Sequence, residues 1–104
     1  MRTVSFEHNL SSGVLIRVRI AKERGRILSF VTQLECLVEG KWCPIVRYDT
    51  AHGFAHRDIL RPTGVQEKQR IPITDLNEAL SYAQRDIKEH WRDYLERYVR
   101  WLDD

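Results

Sequence analysis

Between Ile73 and Asp104 the sequence has neither proline nor glycine, while Leu76, Leu80, Ala83, Ile87, Trp91, Tyr94, Tyr98 and Trp101 recur every three or four residues. That is the period of one helix face. Pro72 stands just before it, Thr74 or Asp75 can serve as N-cap, and Asp75 with Glu78 has capping-box spacing. A helix over 74–102 is therefore expected, and its roughly 27 residues would span ~40 Å. Leu80, Ile87, Tyr94 and Trp101 are heptad partners, but the second seam fails at His90 and Arg97, as the apolar positions slide to Trp91 and Tyr98. A straight helix lying on a fixed surface drifts in this way; a coiled coil does not. The first half is expected to lie on a sheet. The aromatic end, Trp91, Tyr94, Tyr98 and Trp101, is expected to extend past it and offer a homodimer surface.

The surface it needs is written upstream. "VLIRVRI" (14–20) alternates apolar and polar residues, "KERG" (22–25) reads as a turn, and "RILSFVTQLECLVEG" (26–40) is rich in β-formers. Leu28, Phe30, Leu34, Cys36 and Val38 share the more apolar side of that second run. "KWCPIVRYD" (41–49), "FAHRDIL" (54–60) and "VQEKQRI" (65–71) continue the series, and "TVSFEH" (3–8) alternates weakly before it. Pro44 cannot donate a ladder hydrogen bond and marks an edge or a bulge. Consecutive hairpins favour a meander. The expected fold is α+β: an antiparallel sheet of four to six strands over residues 1–73, followed by one long C-terminal helix, in a single domain of 1–104.

A two-residue loop at Glu39-Gly40 sets Cys36 opposite Cys43, within disulfide reach. Carried onward without interruption, this register puts Arg47 and Asp49 on the Cys36 face. Leu37, Trp42, Val46, Tyr48 and Val31 then share the other. One helix covers one face, so a second subunit is expected over the other.

The chain has 42% hydrophobic and 31% charged residues, which suits a folded domain rather than a disordered one. No apolar run is long enough to span a bilayer, so no membrane partner is expected. "MRTVSFEHNL" lacks the features of a signal peptide. With only two cysteines, a reducing, cytoplasmic setting is expected. The net charge of +2 hides an asymmetry: residues 1–74 hold 12 basic and 7 acidic side chains, residues 75–104 hold 5 and 8. A basic front half can attract phosphate.

The densest polar stretch is "RYDTAHGFAHRD", 47–58. Arg47 and Asp49 lie on one side of a strand, Gly53 supplies a turn, and His56 and Asp58 share a side of the next strand. Arg47, Asp49, His52, His56 and Asp58 can thus converge at one sheet end. Three readings stay open: two histidines as acid and base with an arginine on a phosphate, a divalent cation among Asp49, His52, His56 and Asp58, or a paired structural turn. No CxxC spacing supports a Cys/His zinc site. His90 borders the helix stripe and reads as half-buried; His8 has no evident partner.

This stretch resembles the "R-aromatic-D … H … H" signature of the TumE-type toxins of prokaryotic toxin–antitoxin pairs. The matching positions are Arg47, Tyr48, Asp49, His52 and His56. The longer run "GKWCPIVRYDTAHGFAHRDIL" with "PITDLNEAL" is similar to short uncharacterised prokaryotic proteins. The latter resemblance implies a compact sheet-plus-helix fold and no assigned activity; the TumE-type resemblance, with the spacing of these residues, points to a metal-independent ribonuclease without cofactor. On this reading His52 and His56 would be acid and base, Asp49 would orient a histidine and Arg47 would bind phosphate; Arg57 and Asp58, beside the matched positions, are further candidates for substrate binding. RNA and an antitoxin-like protein are the implied partners; a non-catalytic interaction or dimerisation module is the alternative.

Overall fold

A computed structural model describes residues 1–51, 53–64 and 66–103, with Gln66 described in its backbone alone. Six strands form one antiparallel meander in chain order: β1 (Arg2–Ser11), β2 (Val14–Glu23), β3 (Arg26–Val38), β4 (Lys41–Asp49), β5 (His56–Leu60) and β6 (Gln66–Arg70). Helix α1 (Leu76–Leu102) follows and packs chiefly along β3 and β4. The architecture is the expected α+β sheet and helix.

Local chemistry explains the hairpins. Arg24 and Gly25 both have positive φ (50° and 76°), as do Glu39 and Gly40 (51° and 78°), the signature of the two-residue turn whose twist matches the flanking strands. Gly13 has a second constraint besides its φ of 71°: a Cβ there would sit 3.3 Å from Cβ of Leu37. At the start of α1 Asp75 is the cap, its Oδ1 accepting from the Glu78 amide at 3.0 Å.

The helix-side core joins Ile16, Val18, Phe30, Leu34, Cys36, Val46 and Tyr48 of the sheet to Ala79, Leu80, Ala83, Ile87, Tyr94 and Tyr98 of the helix. Burial of Tyr94 (8% exposed) and Tyr98 (7%) corrects the expectation of an aromatic end reaching past the sheet towards a second subunit. Those rings close the chain's own core, and Trp101 packs beneath the Arg61 guanidinium at 4.4 Å. His90 is about half-buried as expected, its side chain 51% exposed.

The second correction concerns the faces of β4. Cys36 does oppose Cys43, and both are free thiols. Beyond them Glu35 pairs with Pro44 but Leu34 pairs with Val46, so Ile45 is an extra residue: a β-bulge. Pro44, which has no N–H to give, marks the place. One inserted residue exchanges the sides of everything that follows. Val46 and Tyr48 therefore face the helix, both at most 1% exposed. Arg47 and Asp49 join Leu37, Trp42 and Val31 on the face away from it. A similar shift between Ala21 and Lys22 sets Leu28 apart from its neighbours and leaves it 46% exposed.

Among the described residues no helix is long and apolar enough to cross a membrane.

Candidate functional site

The strand registers align the face away from the helix into two rows that cross all six strands. One runs Ser5, Arg19, Val31, Asp49, His56, Arg70; the other runs Glu7, Arg17, Gln33, Arg47, Asp58, Lys68. Residues in a row are cross-strand partners, and the rows lie two residues apart along each strand.

Asp49 ends β4 and His56 begins β5, and the imidazole Nε2 lies 2.8 Å from Asp49 Oδ1. The same oxygen accepts from the Ala51 amide at 3.1 Å, which ties the carboxylate to its own turn. Thr50 is buried and anchors that turn to β3, its Oγ1 accepting from the Phe30 amide at 3.0 Å. Asp58 Oδ2 is 4.0 Å from His56 Nε2, and Asp58 Oδ1 is 3.3 Å from Lys68 Nζ. His56 and Asp58 are nearly sealed, at 2% and 3% exposed. The Phe54 ring stands edge-on to the imidazole with centroids 6.1 Å apart, and Arg70 stacks on Phe54 at 4.4 Å.

Asp49, His56 and Asp58 each offer one donor atom, and these atoms lie within 4.8 Å of one another. They are the described residues best placed to hold a cation. Arg47 is one row away, its Nε donating to Gln33 Oε1 at 2.7 Å. An Arg47–Asp49 ion pair is not among the salt bridges of the described residues. His52 lies outside the described residues. Arg57 projects through the other face of β5 and donates to Tyr94 Oη at 2.9 Å, so the sheet separates it from His56.

The rows continue into a charged network at Glu35. Arg17 bridges Glu7 and Glu35 with N···O distances of 2.6 and 2.8 Å, and Gln33 Nε2 donates to Glu35 at 2.8 Å. Burial pushes the Glu35 carboxyl upward. Hydrogen bonds from Arg17 and Gln33, with the charges of Arg17 and Arg47, outweigh that and hold it below the ordinary glutamate value. A depressed carboxylate stabilises the fold above its unfolded pKa, and the contribution is lost as pH falls through the folded value. Glu35→Gln is expected to cost about 1 kcal/mol at neutral pH. The gap from the unsubstituted protein should close as urea midpoints are measured at descending pH below 4.5.

A second polar cluster, on the helix side, was not singled out in the sequence. Tyr48 and Tyr94 hydroxyls both donate to Asp86 Oδ2 at 2.5 Å, and Arg57 Nη1 lies 4.0 Å from that oxygen. His90 Nδ1 is 3.2 Å from Asp86 Oδ1. An open cleft of about 520 Å³ adjoins it, lined in part by Arg57, Asp86, His90 and Tyr94. The only sequence signal was an aspartate beside the apolar stripe, three residues from Ala83 and eight from Tyr94. Asp86→Ala strands two buried hydroxyls and is expected to cost about 3 kcal/mol. In a denaturation cycle, Tyr48→Phe should cost less in the Asp86→Ala background than alone. Equal costs would show the contact to be idle.

Searches of curated proteins and of solved structures find no match. A family profile does match, from residue 1 to residue 104. It is described as a domain of unknown function, DUF7718, and over this full span the chain belongs to that family.

Proposed function

We propose that the chain is a single-domain, metal-independent ribonuclease of the toxin–antitoxin kind, acting from the sheet face opposite the helix. The observation that carries this reading is the Asp49–His56 contact of 2.8 Å at a strand end, with Arg47 in the adjoining row. RNA contains its own nucleophile, so cleavage needs a base for the 2′-hydroxyl, an acid for the leaving 5′-oxygen and a cation for the phosphate. With Nε2–H held by Asp49, proton exchange falls to His56 Nδ1. Arg47 supplies the positive charge, and His52 is assigned the complementary acid–base role. Because His56 is 2% exposed, substrate enters as Phe54 swings off the imidazole. The partner on this reading is an antitoxin-like protein that covers the same face.

A second reading, a non-catalytic interaction module, draws on Leu37 and Trp42, which stand 48% and 50% exposed on that face. One experiment separates the two. Purified protein is incubated with single-stranded RNA, with and without a chelator. The nuclease reading expects cleavage that the chelator leaves intact. Uncut RNA, or cleavage that the chelator abolishes, overturns it, and uncut RNA leaves the interaction reading standing.

A further inference from the structure

We infer that the six-strand face opposite the helix is a binding track for single-stranded RNA, with Arg19, Arg47 and Arg70 as its phosphate contacts and Trp42 as a base-stacking platform. This deepens the ribonuclease proposal and rests on it for the identity of the polymer.

The argument is one of charge accounting on that face. Glu7 and Glu35 are both engaged by Arg17, Asp49 by His56, and Asp58 by Lys68. Each of these acidic groups thus has a basic side chain beside it, although Glu7 and Glu35 share one arginine and His56 carries a charge only when protonated. Arg19, Arg47 and Arg70 have no salt bridge to a described carboxylate: Arg47 donates to the neutral Gln33, and Arg70 stacks on Phe54. What the face offers a ligand is three guanidinium groups outside any salt bridge of the described residues, the charge of Arg47 also acting on Glu35, so that Arg17, Arg19, Arg47, Lys68 and Arg70 outnumber Glu7, Glu35, Asp49 and Asp58 by one.

Their placement favours a polymer over a small anion. Arg19 on β2 and Arg70 on β6 belong to the same row and are four strand spacings apart, roughly 19 Å across the sheet. A single phosphate cannot touch both, whereas successive phosphates of a strand can. Asp49 and His56 lie between them in that row. A bound backbone thus passes over the dyad. Trp42, half exposed on the same face beside Leu37, presents a flat ring to an unpaired base. Duplexes hide the base faces that such a ring stacks against, so the occupant is single-stranded.

The test measures binding apart from cleavage. Fluorescence anisotropy of a labelled oligouridylate is recorded across a salt series with His56→Gln protein, its RNA checked for integrity after each measurement. Each phosphate neutralised contributes about −0.7 to the slope of log K against log salt. Adding Arg19→Gln, Arg47→Gln and Arg70→Gln together is expected to reduce the slope by about 2. Trp42→Ala should weaken binding roughly 5- to 150-fold with the slope unchanged. Arg85→Gln, on the exposed side of α1, should leave both unchanged. No oligouridylate binding at low salt, an unaltered slope in the triple variant, or equal affinity for duplex RNA would overturn the inference. Binding with the expected slope but without cleavage by the unsubstituted protein would overturn the nuclease proposal instead and leave the track standing.

Discussion

Raising the pH past 10 is expected to unfold this protein within one to two pH units, in a single cooperative step. Three buried tyrosines drive the effect. Burial, then the hydrogen bond to the Asp86 carboxylate, push Tyr48 well above the usual phenol range and Tyr94 up to about 12. Burial beside the Cys43 thiol raises Tyr98 to about 12 as well. A tyrosine whose folded pKa is raised contributes stability below its unfolded pKa of 10, and that contribution drains away as pH climbs towards the folded value. The loss is about 1.4 kcal/mol per pH unit for each ring, hence roughly 4 kcal/mol per unit for three. Domain stabilities are only about 5–15 kcal/mol. Buried Cys36, raised from 9 to about 12, acts in the same direction and begins earlier. Circular dichroism and the phenolate absorbance of the three buried rings should therefore change together. Phenolate from more than one ring, the exposed Tyr82 being the fourth tyrosine, appearing gradually in a chain that keeps its native dichroism would refute this account. Tyr48→Phe removes one of these four titrating groups, and its loss of stability per pH unit above 10 should be shallower by about a quarter.

His56→Gln carries the second large effect. If the imidazole exchanges the proton in RNA cleavage, its removal should lower the rate by roughly 10²–10⁴-fold. Asp49→Asn keeps the shape of the carboxylate but removes its charge, and a loss of about 10²-fold or more is expected. His56 is buried, so each variant's melting temperature and oligouridylate affinity must be compared with the unsubstituted protein. A folded variant that still binds but no longer cuts supports the assignment. Equal cutting by His56→Gln removes His56 from the chemistry.

Much of the fold was legible because its signals are local. The helix could be read from its apolar spacing and from Asp75 with Glu78, and the hairpins from Gly25 and Gly40. What sequence periodicity could not supply was parity. Alternation tells which residues share a side only while the ladder runs without interruption, and Ile45 interrupts it. Pro44 hinted at a bulge but not at its consequence, so Val46 and Tyr48 changed places with Arg47 and Asp49. The closeness of Asp49, His56 and Asp58 survived that exchange because their strands are adjacent across one turn. The Asp86 cluster was illegible for another reason. It joins β4, β5 and α1 over 38 residues of chain between Tyr48 and Asp86, and nothing local announces such a meeting. The helix spacing alone does not give the length of the surface beneath it, and β3, at 13 residues, is long enough to keep the aromatic end covered.

The extra residue in β4 also bears on what kind of change this fold can absorb. Substitution at Ile45 alters how a side chain packs; deletion of Ile45 would turn the rest of the strand over. Arg47 and Asp49 would be driven into the apolar layer, and Val46 and Tyr48 into water. The chemistry of one face and the cohesion of the other are thus set by a count, odd or even, between a turn at Gly40 and a strand end at Asp49. Drift in residue identity leaves that count untouched, whereas a single-codon loss would reverse it in one step.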